Sequence, residues 1–544
     1  MISPLSRRSF LALSALTGVG LAGSSLMSGC SAAVDKTKEH QASNTLVVAL
    51  PKDCEPKGGF NPIVSWGCGE HVHEPLIQST LVRTNSDLAF ENDLATSYKY
   101  NNGALTWDFV LRDDVKFSDG SSLTAHDVAF TLESIKNHEG SECDLSMIES
   151  VVVSSDTQLS IKLNKPFNAL LYILANIGIV SKSAYSDQYG QKPLGSGRFM
   201  LKEWQQGSQA IFVPNPYYYG EAPKIKQLTV LFMEEDQALA AVKSHTADLA
   251  FTQPSIAKSS LEGYDLLNCR SVDSRGISLP MLKPGSVRVD DGKELPAGNA
   301  VTQDLAIRRA LSYALNREAL IKNTMEGFGD AAYSVSDGMP WSNPALKIET
   351  NVEYAKKIMD DAGWQVASDG IREKNGTRAQ FDLLYMADDS LRQAIAHEFA
   401  VQMEELGIQV SPKGMTWDDI RPLEFSTPVV WGWGSNAPLE LYYLNYSDAW
   451  GNFSGYNSAI SDKYMDEALA TPQVEDSFEF WQKSQWDGTH GPAPQGEASW
   501  VWIANVDHLF FVASSLVVAK QKPHPHGHGW SILNNVDEWY WQSA

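Results

Sequence analysis

The sequence is short of positive charge. Its 544 residues carry 43 Lys and Arg against 66 Asp and Glu, a net charge of −23. Nucleic-acid binding needs clustered cations to replace phosphate counterions, so no nucleic-acid partner is expected. Long apolar runs are also scarce. One exists, at the N-terminus, which excludes a multi-span membrane protein. Cysteine is rare, with 5 in all and no C-x-x-C pair, so neither a thioredoxin-like redox site nor a zinc ribbon is indicated. G-x-S-x-G, H-E-x-x-H and Walker-type loops are missing, which removes common signatures of hydrolases, zinc proteases and NTPases. The acidic residues are dispersed, so no catalytic carboxylate pair stands out. What remains is ordinary globular composition, 43% hydrophobic and 20% charged, at a length that suits three or four domain-sized units.

The N-terminus reads as an address. Arg7 and Arg8 precede an apolar stretch from Phe10 to Leu26 that is broken by Gly18, Gly20 and Gly23, as in a secretory signal over residues 1–29. Ser6-Arg7-Arg8-Ser9-Phe10-Leu11 resembles a twin-arginine export signal. Met27-Ser28-Gly29-Cys30 resembles a lipobox, with Met27 where Leu is usual. Cys30 is therefore expected to carry lipid. Residues 30–44 are polar and unpatterned, as suits a tether between anchor and fold. The expected location is the outer face of the cytoplasmic membrane or the periplasm. Four further cysteines, Cys54, Cys68, Cys143 and Cys269, allow three disulfide connectivities. Cys54 and Cys68 flank one Gly/Pro-rich loop and are the best-placed pair.

Thr45 to Leu50 is a short apolar run closed by Pro51 and reads as a buried strand. Trp107–Leu111 and Val115–Phe117 read as strands, and Thr124 as the cap of a helix through Leu132. Val151–Val153 and Leu159–Leu163 alternate as an antiparallel pair. Further along, Ile307, Leu311, Ala314 and Leu315 stripe one helix behind Asp304. Ala355, Ile358, Met359 and Ala362 stripe another that ends at Gly363. Ile395, Phe399, Met403 and Leu406 stripe a third, closed by Gly407 before Ile408-Gln409-Val410. Helix, glycine, then strand is an α/β signal.

These blocks, taken in order, resemble the peptide/nickel type (family 5) of extracellular solute-binding proteins of ABC transporters. The resemblance rests on Leu111 to Leu132 (LRDDVKFSDGSSLTAHDVAFTL), Pro193-Leu194-Gly195-Ser196-Gly197 and Asn215-Pro216-Tyr217-Tyr218. It continues through Asp304 to Leu320, Asp361-Ala362-Gly363-Trp364 and Asn452 to Asn457, and covers roughly residues 45–544. It implies an α/β, two-lobe periplasmic binding protein fold of type II with an extra subdomain on lobe one. Lobe one would span residues 45–272 with its subdomain at about 86–190, lobe two 273–507, and residues 508–544 would return to lobe one. It also implies a monomer whose lobes close on a solute and dock on ABC permease subunits, with no catalysis and no obligatory cofactor.

The solute is read from departures. Peptide-binding members hold the ligand's ammonium with an Asp in a G-W-x-x-D-x-x-D-P stretch. Here residues 431–443 read WGWGSNAPLELYY, with Glu440 the one acid. Trp431, Trp433, Tyr442 and Tyr446 are aromatic candidates for the cleft wall, one of the two tryptophans lining it and the other buried; Asn436 and Trp66 are further ligand-binding candidates. Five of the 12 histidines fall in H-x-H groups, His71/His73 and His524/His526/His528, a pattern suited to Ni²⁺ or another transition metal. In the family, the loop holding His71 and His73 lines the cleft; the later trio is expected outside it. The late HPHGHGW phrase leans towards the nickel-type branch. Nickel-type members that grip an anionic chelate use arginines, and none occurs in Phe130–Glu142 or Leu174–Ser183, where they are expected. The expected solute is a metal chelate, with an oligopeptide or dipeptide as the alternative. An exported metalloenzyme using the H-x-H sites is the reading from another class, and a sensor in place of a permease is a further partner.

Overall fold

The computed structural model describes residues 36–66, 76–101, 103, 105–290 and 292–542. The export signal, Cys30, Cys68, His71 and His73 lie outside the described residues.

Two mixed sheets form the cores of two lobes. The first has seven strands, in the order Tyr264–Cys269, His508–Ala513, Leu249–Thr252, Thr45–Pro51, Gln227–Met233, Gln209–Pro214 and Phe199–Gln205. Thr45–Pro51 is central and parallel to both neighbours, which is why it reads as an unbroken apolar run. The second sheet has six strands, Gly329–Ala331, Trp500–Val506, Asp273–Ser278, Val429–Gly434, Gln380–Met386 and Gln409–Met415. The chain leaves the first sheet after Cys269 and enters the second at Asp273. It goes back between Val506 and His508. The strands Thr45–Pro51 and His508–Ala513 therefore share one sheet although they are far apart in sequence.

A separate four-stranded antiparallel sheet is built from Ala95–Asn101, Thr106–Leu111, Gln158–Leu163 and Ile148–Ser155. The helix Ala125–Lys136 accompanies it, started by a reciprocal cap between Thr124 and Asp127. Val115–Phe117 forms no strand there; the turn makes one bridge, Lys116 to Ser122.

The amphipathic helices pack on the second sheet with Ile307, Leu311, Met359, Ile395, Phe399 and Met403 in one core. Asp304 caps the first of them through Ala306 N–H, and Asn351 caps another through Tyr354 N–H. The segment from Asp304 to Leu320 is two helices rather than one. The chain extends at Leu315, and Asn316 then caps a new helix, Arg317–Met325, through Ala319 N–H. Gly407 turns the helix Ser390–Glu404 into the strand Gln409–Met415 at φ +72°, with Gly370 O only 2.7 Å from where a Cβ would stand. The Cys54, Cys143 and Cys269 thiols are free among the described residues. No helix of the described residues is long and apolar enough to cross a membrane.

Candidate functional site

A cavity of about 760 Å³ opens where the second sheet faces the four-stranded unit and the returning C-terminal segment. That volume suits a small organic solute or a short peptide. Its walls come from both sides: Cys143 and Asn176 from one, Arg392, Trp417, Arg421, Trp433, Glu440 and Tyr443 from the other.

The strand Val429–Gly434 sets the aromatic wall. Side chains alternate along a strand, so Trp431 and Trp433 share a face. Trp431 is buried, stacked on Phe453 at 4.3 Å and on Trp417 at 5.3 Å, and its Nε1 donates to Ser278 Oγ at 3.0 Å. Trp433 is half-buried against Trp450 and Phe453, and its Nε1 has no partner among the described residues. Both rings line the cavity.

On the other face of the strand the glycines leave room. A Cβ on Gly432 would lie 2.7 Å from Arg392 Nη2, 2.9 Å from Arg275 Nη1 and 2.9 Å from His528 Cε1. A Cβ on Gly434 would lie 1.9 Å from Gly527 O. The histidine-rich turn thus seats directly on the strand, helped by Asn436 Nδ2 donating to His524 O at 2.7 Å. This corrects the expectation that the late trio lies outside the cleft. His526 and His528 line the cavity, while His524 is buried behind them. Gly527, at φ +91°, permits the close approach that a strand-and-lobe assignment from sequence could not anticipate.

The three rings are not equivalent. His524 Nδ1 accepts from His526 N–H at 3.2 Å, and His526 Nδ1 accepts from His528 N–H at 3.4 Å. A neutral imidazole that accepts at Nδ1 carries its proton on Nε2. His528 is the reverse: its Nδ1 donates to Asp273 Oδ1 at 2.8 Å. Burial alone would raise the Asp273 carboxyl, but the Arg275 guanidinium with His528 and His508 holds it well below the usual carboxylate range. Asp273 is thus a carboxylate acceptor for the His528 ring.

Arg392 brings a cation to the wall. It is half-buried, its Nη1 pairs with Asp389 at 3.1 Å, and its Nε has no partner among the described residues. Glu440 brings an orphaned acid: its Oε2 is buried without a partner, and burial pushes the carboxyl up to about 8. Orphaned atoms on Trp433, Arg392 and Glu440 are the marks of a wall finished by a polar solute. Among the described residues no three His, Cys, Asp or Glu side chains gather as a metal site.

Other sequence candidates fall elsewhere. Trp66 packs edge-on to Phe60 at 4.8 Å in the first lobe's core, not in the cavity wall. Tyr442 and Tyr446 stack on each other at 4.5 Å, with Lys165 above Tyr442, and do not line the cavity. In the helix Leu439–Asn445 it is Glu440 and Tyr443, three residues apart, that turn inward. Tyr443 was reachable from Glu440 by that spacing. Arg392 also left a signal: it sits three and seven residues before Ile395 and Phe399, a charge on an apolar stripe. It and Arg421 supply arginines from the second lobe, not from the segments of the first where they were expected.

Two lobes enclosing a polar, aromatic-walled cleft define an extracellular solute-binding protein. The model of bacterial extracellular solute-binding proteins, family 5 Middle, matches residues 89–465, and the chain belongs to that family. Protein XP55 of Streptomyces lividans is 26% identical over 497 residues, 87% of this chain and 85% of that protein. The oligopeptide-binding protein AppA of Bacillus subtilis is 27% identical over 442 residues, 75% of this chain and 78% of that one. The nickel-binding periplasmic protein of Escherichia coli is 27% identical over 351 residues, 62% and 66%. Among solved structures, NikZ of Campylobacter jejuni with Ni(L-His) superposes with a TM-score of 0.78 at 23% identity, covering 92% of this chain and 99% of that one. These relatives include both nickel-binding and peptide-binding proteins. Members of the family deliver peptides or nickel chelates to ABC permeases, and their family places them among exported proteins.

Proposed function

We propose that this protein captures a small transition-metal chelate of the nickel type in its interlobe cleft and hands it to an ABC permease. It acts as a carrier, not as a catalyst, from a lipid on Cys30 at the outer face of the membrane. The observation that carries the reading is His528, whose Nδ1 is committed to Asp273 and whose ring lines the cleft. A neutral imidazole backed by a carboxylate is a good ligand for a borderline metal ion.

The surroundings select how the metal arrives. Arg392 stands beside His528 across Gly432. Its guanidinium offers an anionic chelate a charge-assisted contact that a bare dication cannot make. The chelator, with His71 and His73 as further candidates, would supply the remaining metal ligands. Trp433, Tyr443 and Trp450 offer flat walls to its organic part.

An oligopeptide is the second reading, favoured by the orphaned Glu440 oxygen as an acceptor for an ammonium group. Native mass spectrometry of protein purified from its own host separates the two. A bound mass with a transition-metal isotope pattern supports the chelate; a peptide ladder supports the alternative.

A further inference from the structure

Asp273 stands at a crossing. It is the first residue of the strand by which the chain enters the second lobe, and His508 is the first residue of the strand by which it re-enters the first. The buried Asp273 carboxylate holds both sides. Oδ2 accepts from His508 Nε2 at 3.0 Å, and Oδ1 accepts from His528 Nδ1 at 2.8 Å and from Arg275 Nη1 at 2.7 Å. Beside it Ser274 Oγ donates to Asn505 Oδ1 at 2.6 Å, tying the entering strand to Trp500–Val506, which the chain leaves just before His508.

We infer that Asp273 is a positioning residue: it fixes the ring and tautomer of the solute-facing His528 and links that ring to the hinge through His508. The inference deepens the chelate reading and rests on it for the identity of the ligand. Three observations carry it. His528 alone of the late trio has its Nδ1 on a carboxylate, whereas His524 and His526 accept backbone N–H groups there. The ring lies against the bare backbone of Gly432, where a Cβ would stand 2.9 Å from its Cε1 and 2.9 Å from Arg275 Nη1. The same carboxylate is shared with His508, so a change at one imidazole is felt at the other.

The chemistry follows from this arrangement. When Nε2 donates its pair to a metal, the Nδ1 proton becomes more acidic and its bond to the carboxylate strengthens. Asp273 is drawn towards His528 and its hold on His508 alters at the point where the lobes hinge. Occupancy of the cleft therefore carries a differential free energy for one lobe arrangement over another, which is what solute-driven closure requires.

The test begins on ligand-free protein. Long-range ¹⁵N–¹H correlation spectra should show His528 with its proton on Nδ1, and Asp273→Asn should move that proton to Nε2, since the amide can donate where the carboxylate could only accept. A His528 proton on Nε2 in the unaltered protein overturns the inference. With Ni²⁺–L-histidine as probe, Asp273→Asn should weaken binding about 10–100-fold and shift the metal's d–d absorption. His508→Gln should leave that absorption unchanged yet abolish the drop in radius of gyration on ligand addition. Unchanged affinity and spectrum in Asp273→Asn, or unimpaired compaction in His508→Gln, contradicts it. If the unaltered protein gives no heat with the Ni²⁺ complex while His528 still holds its proton on Nδ1, the chelate reading falls and the positioning of the ring stands.

Discussion

His526 Nε2 lies 3.7 Å from Glu440 Oε1, and the two groups meet uncharged. Burial pushes the Glu440 carboxyl up to about 8, and burial, with His528 nearby, pushes His526 down to about 3 against the pull of Asp273. An acid and a base that face each other without exchanging a proton are a consequence of a dry wall, where either charge alone is costly.

Stability should therefore fall on both sides of a middle pH. The Glu440 carboxyl moves from an ordinary 4.5 to about 8, so in that window the folded chain binds more protons than the unfolded one and loses stability as pH rises. His526 moves from 6.5 to about 3, so in that window the folded chain binds fewer protons and loses stability as pH falls. Each slope is at most about 1.4 kcal/mol per pH unit. Glu440→Gln should raise Tm more at about pH 8 than at about pH 4, and His526→Gln the reverse. Thermal melts across pH check this; a Glu440→Gln gain independent of pH would contradict it.

The seat of the histidine turn is backbone against backbone. A Cβ at Gly434 would meet Gly527 O at 1.9 Å, and neither chain has a flexible side chain to yield. Gly434→Ala should cost at least about 2 kcal/mol in denaturant melts and weaken chelate binding by displacing His526 and His528. An alanine that is tolerated with unchanged binding would mean that the turn does not rest on the strand.

Trp433 should report the solute. Its ring lines the cavity with Nε1 unpartnered, whereas Trp481 is fully buried in the helix Phe478–Gln485. Trp417, Trp431 and Trp450 line the cavity too, so a paramagnetic metal chelate should quench these four rings and spare Trp481. Trp433→Phe should remove a measurable part of the fluorescence change and Trp481→Phe little of it. Equal losses would place the solute elsewhere.

Anchoring has its own test. Cys30→Ser should release the protein from membranes or leave its leader uncleaved, because two acyl chains hold where one is marginal. Unchanged partitioning in the variant would count against lipid on Cys30.

Much of the frame was legible in the sequence because it follows from local rules. Asp304, Asn351 and Gly407 mark helix ends by capping chemistry, and Thr45 to Leu50 marks a doubly covered strand by its unbroken apolarity. The site was less legible because it depends on which helix face turns inward and on contacts across hundreds of residues. Tyr442 and Tyr446 share a face by their four-residue spacing, but it is the wrong face; Glu440 and Tyr443 occupy the right one. The pairing of His528 with Asp273 joins residues 255 apart, and no periodicity records it. Leu315 ends one helix and Asn316 starts the next, a break that the apolar stripe alone runs through.

The most direct test of the central claim is calorimetry of the metal-stripped protein against three probes: Ni²⁺, Ni²⁺–L-histidine, and a series of di- to pentapeptides. The account predicts that the chelate binds much more tightly than Ni²⁺ alone and that peptides bind poorly. It also predicts that His528→Ala removes chelate binding while thermal stability stays near that of the unaltered protein. Micromolar peptide binding with no response to the chelate would contradict the account and make this protein a peptide carrier.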